Sequence, residues 1–199
     1  VRALAGLGNP GDNYSEDRHN AGWMLLDALL RRSRVVERRD LQSVELRRVE
    51  LHDRGSKRKG KGGEELWLMR PTTYMNRSGV GVSAGCSALG IGPDELVVAY
   101  DDIDLPLATL RIRPAGGDGG HRGMRSIIRA LGTQQIPRLR IGIRGIDAPL
   151  DTADYVLSRF KKDELETIAE VIEVAADAVQ TIQRSGLTAA MNAYNKPGA

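Results

Sequence analysis

The chain has three histidines, His19, His52 and His121, in three separate polar or glycine-rich segments. An imidazole titrates near neutral pH and so suits a general base. Their scatter lacks the spacing of a metal site. His19 stands in Asp17-Arg18-His19-Asn20, just ahead of a helical pattern, where it serves either as a base or as a neighbour of the helix cap. His121 lies in the glycine-rich run 116–123, and His52, in a basic hairpin, is read as incidental. Asp101, Asp102 and Asp104 close an apolar run. Three carboxylates could hold a hard cation. The preferred reading is a single carboxylate that orients a histidine, with no metal and no cofactor.

Asn9 falls in Gly6-Leu7-Gly8-Asn9-Pro10-Gly11, which fits the dinucleotide pattern GxGxxG. That function needs a helix starting at the glycines, so that its amides meet a pyrophosphate. Here Pro10 and the polar residues 12–17 intervene, and no acid closes a following strand about 20 residues on. The motif reads instead as a tight turn, or as a turn placing Asn9 at the carboxyl end of a strand, where α/β sheets carry their sites. Asn76 follows Pro71-Thr72-Thr73-Tyr74-Met75. It is a helix cap or a neutral group able to hold a substrate carbonyl. The run 116–123 offers an anion nest or a close backbone approach. It lacks the Gly-Lys-Ser/Thr ending of a P-loop, which argues against ATP hydrolysis. Arg111, Arg113, Arg138, Arg140 and Arg144 recur at period-two spacing, either on a solvated strand face or against phosphate. Cys86, the lone cysteine, lies in an apolar stretch with no histidine near it in sequence and is read as an inert buried thiol.

These groups need a scaffold. Residues 3–8 read as a short buried strand. Residues 20–34 are amphipathic at helical spacing, with Trp23, Leu26, Leu29 and Leu30 on one side. Residues 43–51 and 64–69 read as strands joined by a mobile, basic, glycine-rich hairpin tip over 52–63. A helix rich in small residues covers 75–89, and a buried strand over 95–100 runs into the aspartates. Strands at 109–113 and 138–144 flank a helix that ends near residue 131. A long helix over 161–184 and a short one over 187–194 close the chain. Strands alternating with helices indicate an α/β fold with a largely parallel or mixed sheet.

The chain has 199 residues, 41% hydrophobic and 28% charged, which excludes a disordered or membranous protein. One cysteine excludes an internal disulfide. Aromatics at 4% argue against a binder that stacks bases on a row of rings. Net charge is only +3, but from Gly145 onward 5 basic and 9 acidic residues sum to −4, leaving +7 on the rest. The acidic stretch 147–177 is expected to form a solvent face. The first residues are too short an apolar run for a signal or membrane segment. The location expected is cytoplasmic, or organellar if a transit peptide has been removed.

Taken in order, these motifs resemble the bacterial-type peptidyl-tRNA hydrolases over nearly the whole chain. The segments that carry the resemblance are Gly6 to Gly11 with Tyr14, Arg18-His19-Asn20-Ala21-Gly22, Pro71 to Gly79 and Asp101-Asp102-Ile103-Asp104-Leu105-Pro106. Residues 116–123 and Arg138-Leu139-Arg140-Ile141-Gly142-Ile143 complete the set. The resemblance implies a monomeric single α/β domain over residues 1–199, with a twisted mixed, largely parallel sheet flanked by helices. It implies hydrolysis of the ester joining a peptide to the terminal ribose of tRNA, with peptidyl-tRNA as partner and no membrane or obligate protein partner. By position, His19 resembles the base that activates water and Asp101 its orienting carboxylate. Asn9 and Asn76 resemble groups that grip the peptide and the reacting carbonyl. Tyr14, Tyr74 and His121 match substrate-binding positions, and Arg113 and Arg140 match positions that clamp the tRNA 5′ phosphate. Arg122 takes a further substrate-binding position, where the family usually has Asn, which implies altered or reduced activity. The basic hairpin is a second departure, in length. The alternative is a non-catalytic RNA-binding relative, like the splicing factors that share this fold.

Overall fold

The structure is a computed structural model that describes residues 1–11, 14, 16–52, 63–146, 148 and 152–195. The basic hairpin tip therefore lies almost wholly outside the described residues.

Among the described residues, seven strands form one sheet. They are β1 (Ala3–Gly6), β2 (Ser33–Leu41), β3 (Val44–Leu51), β4 (Glu65–Pro71), β5 (Leu96–Pro106), β6 (Leu110–Arg113) and β7 (Arg138–Arg144). Their order across the sheet is β2-β3-β4-β1-β5-β7-β6. The middle four, β4, β1, β5 and β7, run parallel. β2, β3 and β6 are added antiparallel at the two sides. β1 is buried throughout, as its run of apolar residues and glycine requires of a strand covered on both faces.

Among the described residues, five α-helices accompany the sheet: α1 (Ala21–Arg31), α2 (Ser78–Leu89), α3 (Arg122–Leu131), the short α4 (Thr152–Val156) and α5 (Leu165–Tyr194). α1 and α5 pack over one face around Leu25, Leu29, Val97 and Ile172. α2 and α3 cover the other around Leu7, Val82, Val98 and Ile127. The mixed, mostly parallel α/β sheet expected from the sequence is the fold observed.

Four elements differ from the sequence reading. Residues 20–34 are not one helix: α1 stops at Arg31 and the chain turns into β2. β2 escaped notice because it is a charged edge strand that buries no residue fully, so it shows no clear apolar alternation. Its pairing with β3 is reinforced by Arg34, whose guanidinium meets Glu50 at 2.6 Å. β5 continues past Tyr100 to Pro106, which puts Asp101 and Asp102 inside the strand. α5 starts at Leu165 rather than 161. It is broken at Gly186, whose φ of +83° suits a residue without Cβ, so the expected change of helix near residue 186 is present.

The acidic C-terminal section is also not simply a solvent face. Glu164 is buried against Arg18, while Glu173 and Asp177 both bind Arg32. The acids of α5 thus neutralise part of the basic body they pack on. At the far side, the Asn195 side chain pairs with both the N–H and the carbonyl of Ile112, at 2.7 and 2.9 Å, and so occupies backbone groups of the edge strand β6.

Candidate active site

The carboxyl ends of β1, β4 and β5 open into one cavity of about 1440 Å³. It lies where the chain leaves β1 toward β2 on one side and leaves β4 toward β5 on the other, the kind of position where open α/β sheets bind ligands.

His19 reaches this cavity from a single 3₁₀ turn, Arg18–Asn20, ahead of α1. Two contacts fix that turn. Gly22 lets α1 lie directly on the sheet, since a Cβ there would overlap the Leu7 backbone and the Ala99 carbonyl. Arg18 anchors the other side through Glu164, the Ile143 carbonyl and the Ser158 hydroxyl, between the rings of Tyr155 and Phe160.

The result is that His19 Nδ1 lies 2.9 Å from both carboxylate oxygens of Asp101. With its Nδ1–H donated there, His19 presents Nε2 as the free lone pair. His19 is 7% exposed and Asp101 2%. Burial alone would favour neutral His19, but the facing Asp101 carboxylate outweighs it and raises the His19 pKa. Burial likewise opposes ionised Asp101, yet His19 and His121 together hold its carboxyl well below the usual carboxylate range.

His121 donates from Nε2 to Asp101 Oδ1 at 3.0 Å. Its Nδ1 accepts the Met124 N–H at 3.2 Å and so caps α3. These two bonds specify the neutral tautomer with the proton on Nε2. The three groups His19, Asp101 and His121 approach one another closely enough to suggest a cation site. Their mutual hydrogen bonds, however, occupy the Asp101 oxygens that a cation would need, and the His121 Nδ1 lone pair is taken by the Met124 N–H.

Asn9 is held equally firmly. Its backbone N–H donates to Asn20 Oδ1 at 2.8 Å, and Asn20 Nδ2 donates to the Asn9 carbonyl at 3.1 Å. The Met75 N–H donates to Asn9 Oδ1 at 2.8 Å. With Oδ1 engaged, the Asn9 amide nitrogen remains as a donor at the cavity wall. Asn20 and Met75 were not read from sequence as positioning groups, because their partners come from distant turns.

The other sequence-predicted residues divide. Asn76, Tyr74, Arg122 and Arg113 line the same cavity and are exposed, Tyr74 at 59%. Arg140 lines it too, but its guanidinium is ion-paired with Asp102. Asp102 Oδ1 also accepts the Asp104 N–H at 2.9 Å, so this aspartate serves the strand end and an arginine rather than a cation. Tyr14 packs near Gly11 and is not among the residues lining the cavity. The arginine strands do not form a uniform solvated face. Arg138 is buried, its three nitrogens donating to the carbonyls of Ile136, Gly117 and Gln134, where it holds the glycine-rich loop. Cys86 is buried, and burial pushes its thiol up to about 11, far from nucleophilic.

The family model for peptidyl-tRNA hydrolase matches residues 3–199. The chain belongs to the peptidyl-tRNA hydrolase family. A peptidyl-tRNA hydrolase of Chloroflexus aurantiacus is 44% identical over 193 residues, 96% of this chain and 97% of that one. One from Symbiobacterium thermophilum is 41% identical over 197 residues, 98% of this chain and 99% of the relative. Among solved structures, peptidyl-tRNA hydrolase from Acinetobacter baumannii superposes with a TM-score of 0.80 at 28% identity, over 98% of this chain and 95% of that one. The family resemblance seen in the motifs thus extends to the folded chain.

Proposed function

We propose that this chain hydrolyses the ester between a peptide and the terminal ribose of peptidyl-tRNA. The observation that carries the reading is the His19–Asp101 pair, with Nε2 facing a cavity walled by the Asn9 amide. In the proposed step, His19 Nε2 takes a proton from water as the water oxygen attacks the ester carbonyl carbon. Asp101 holds the tautomer and stabilises the imidazolium. Charge develops on the carbonyl oxygen, where the Asn9 amide and Asn76 donate, an effect worth about 3 kcal/mol in comparable sites. The imidazolium then protonates the ribose oxygen as the C–O bond breaks, releasing tRNA and the peptide acid. His121 acts on Asp101, which it holds with a second N–H donor. No step calls for a metal or another cofactor.

Arg113, which has no ion-pair partner among the described residues, takes a tRNA phosphate, with Arg140 turned toward it beside Asp102. Tyr74 packs on the substrate at the cavity mouth, and Tyr14 assists from outside. The whole chain works as one domain and as a monomer in the cytoplasm. In support, no helix among the described residues is long and apolar enough to cross a membrane, and Asn195 occupies backbone groups of β6. A non-catalytic RNA-binding protein would not need a buried carboxylate shared by two histidines.

Incubation with N-acetyl-aminoacyl-tRNA in water labelled with heavy oxygen tests the reading. Free tRNA and a labelled acid are expected. Tight tRNA binding with no release of acid would replace the reading with RNA binding alone.

A further inference from the structure

A second groove, of about 990 Å³, runs between α2 and α3. It joins the catalytic cavity at Asn76 and Arg122, which line both. α3 is capped by His121, beside Asp101, and carries Arg122, Arg125 and Arg129 away from the site. Residues seven apart fall within about 20° of one another around a helix, so Arg122 and Arg129 share a face. Both are exposed, and neither has an ion pair or side-chain hydrogen bond among the described residues. Arg125 is tied to Asp118 at 3.1 Å. No acidic and no aromatic residue lines the groove among the described residues. The opposing wall comes from Gly79, Val80, Ser83 and Ala84, whose small side chains leave the trench open.

The reading rests on the proposed function, in which the substrate has two arms meeting at the ester. Arg113 and Arg140 stand on the β6–β7 side of the cavity and suit the phosphate arm. The other arm needs a second exit, and the α2–α3 groove is continuous with the site. We infer that this groove takes the peptide arm, and that Arg122 and Arg129 make the enzyme prefer peptides with acidic side chains set back from the ester. Bases find no ring there to stack on, which favours peptide over single-stranded RNA. Arg122 and Arg129 are about 10 Å apart along the helix, the span of about three extended residues. Arg122 lies beside the first residues next to the ester, so Arg129 reads the fourth or fifth.

The test uses the full chain and three tRNA substrates. One carries a single N-acetylated residue, too short to reach Arg129. Two carry hexapeptides that differ only in having two Glu or two Lys at the fourth and fifth positions from the ester. The wild type is expected to favour the Glu peptide in kcat/KM by about twofold to fivefold, the size for exposed ion pairs. Arg129→Glu is expected to reverse the order, and Arg129→Gln to remove most of it. Turnover of the short substrate with equal rates on both hexapeptides would overturn the inference while leaving the hydrolase reading intact. No turnover of the short substrate would defeat the hydrolase reading itself. If Arg129→Glu weakens all three substrates equally, with a flatter salt dependence, the groove serves RNA and the inference fails.

Discussion

Arg18 and His19 are neighbours in the chain, both buried, and each is bound to a carboxylate far away in sequence. Arg18 meets Glu164, 146 residues on, and His19 meets Asp101, 82 residues on. The difference lies in what is left over. Arg18 donates from Nε, Nη1 and Nη2 to protein acceptors and is flanked by two aromatic rings. His19 commits one nitrogen and keeps the other for the cavity. Burial with every nitrogen engaged makes a structural joint. Burial with one lone pair unspent, beside a fixed carboxylate, makes a base.

The contrast can be broken most severely at His19. His19→Ala should lower kcat/KM by about a thousandfold, within the range for loss of a general base, while the denaturation midpoint moves little. Arg18→Met should do the reverse. It leaves Glu164 buried without its partner and should cost about 3–5 kcal/mol of unfolding free energy, measured in denaturant. Adding Glu164→Gln should recover part of that loss. If Arg18→Met instead abolished turnover with stability unchanged, the assignment of roles would be reversed.

A smaller effect separates the carboxylate from the base it serves. The proposed step needs neutral His19, so on that reading rate falls as pH drops through the His19 pKa. Asp101 raises that pKa, and burial lowers it. Asp101→Asn should therefore reduce the plateau rate by about a hundredfold and move the acid limb of the pH profile to lower pH. An acid limb that stayed in place would show that Asp101 does not set the charge of His19. The smallest effect is expected at Arg122, whose positive charge lowers the His19 pKa. Arg122→Asn should shift the acid limb slightly to higher pH and keep or raise turnover at neutral pH. A large loss of rate would mean that Arg122 has taken over part of the chemistry.

The net charge shows the same difference between composition and folding. A balance of +7 before Gly145 and −4 after it suggests two separate surfaces. In the structure, Glu164 neutralises Arg18, and Glu173 with Asp177 neutralises Arg32. The positive charges without an ion-pair partner among the described residues include Arg113, Arg122 and Arg129, around the cavity and the groove that joins it. Sequence totals register charges, whereas only packing shows which of them cancel.

Much was legible from residue order. The alternating apolar periods gave an α/β sheet, because strand and helix differ in the spacing of the side they bury. The turn after β1, the Asp at the end of an apolar run and the glycine-rich loop opening α3 marked Asn9, Asp101 and His121 as candidates. The charged edge strand β2 was not legible, since a half-exposed strand carries no clear alternation. Nor were the roles of Arg18, Asn20 and Arg138, which look like surface or capping residues until their partners are known. Sequence by itself determined which functional groups exist and which elements carry them, because local spacing governs local structure. Tertiary structure alone decided that two histidines share Asp101, that Arg138 holds the glycine-rich loop while Arg113 lines the cavity, and which nitrogen of His19 faces the cavity. Those outcomes depend on hydrogen bonds between residues tens of positions apart, and no local pattern encodes them.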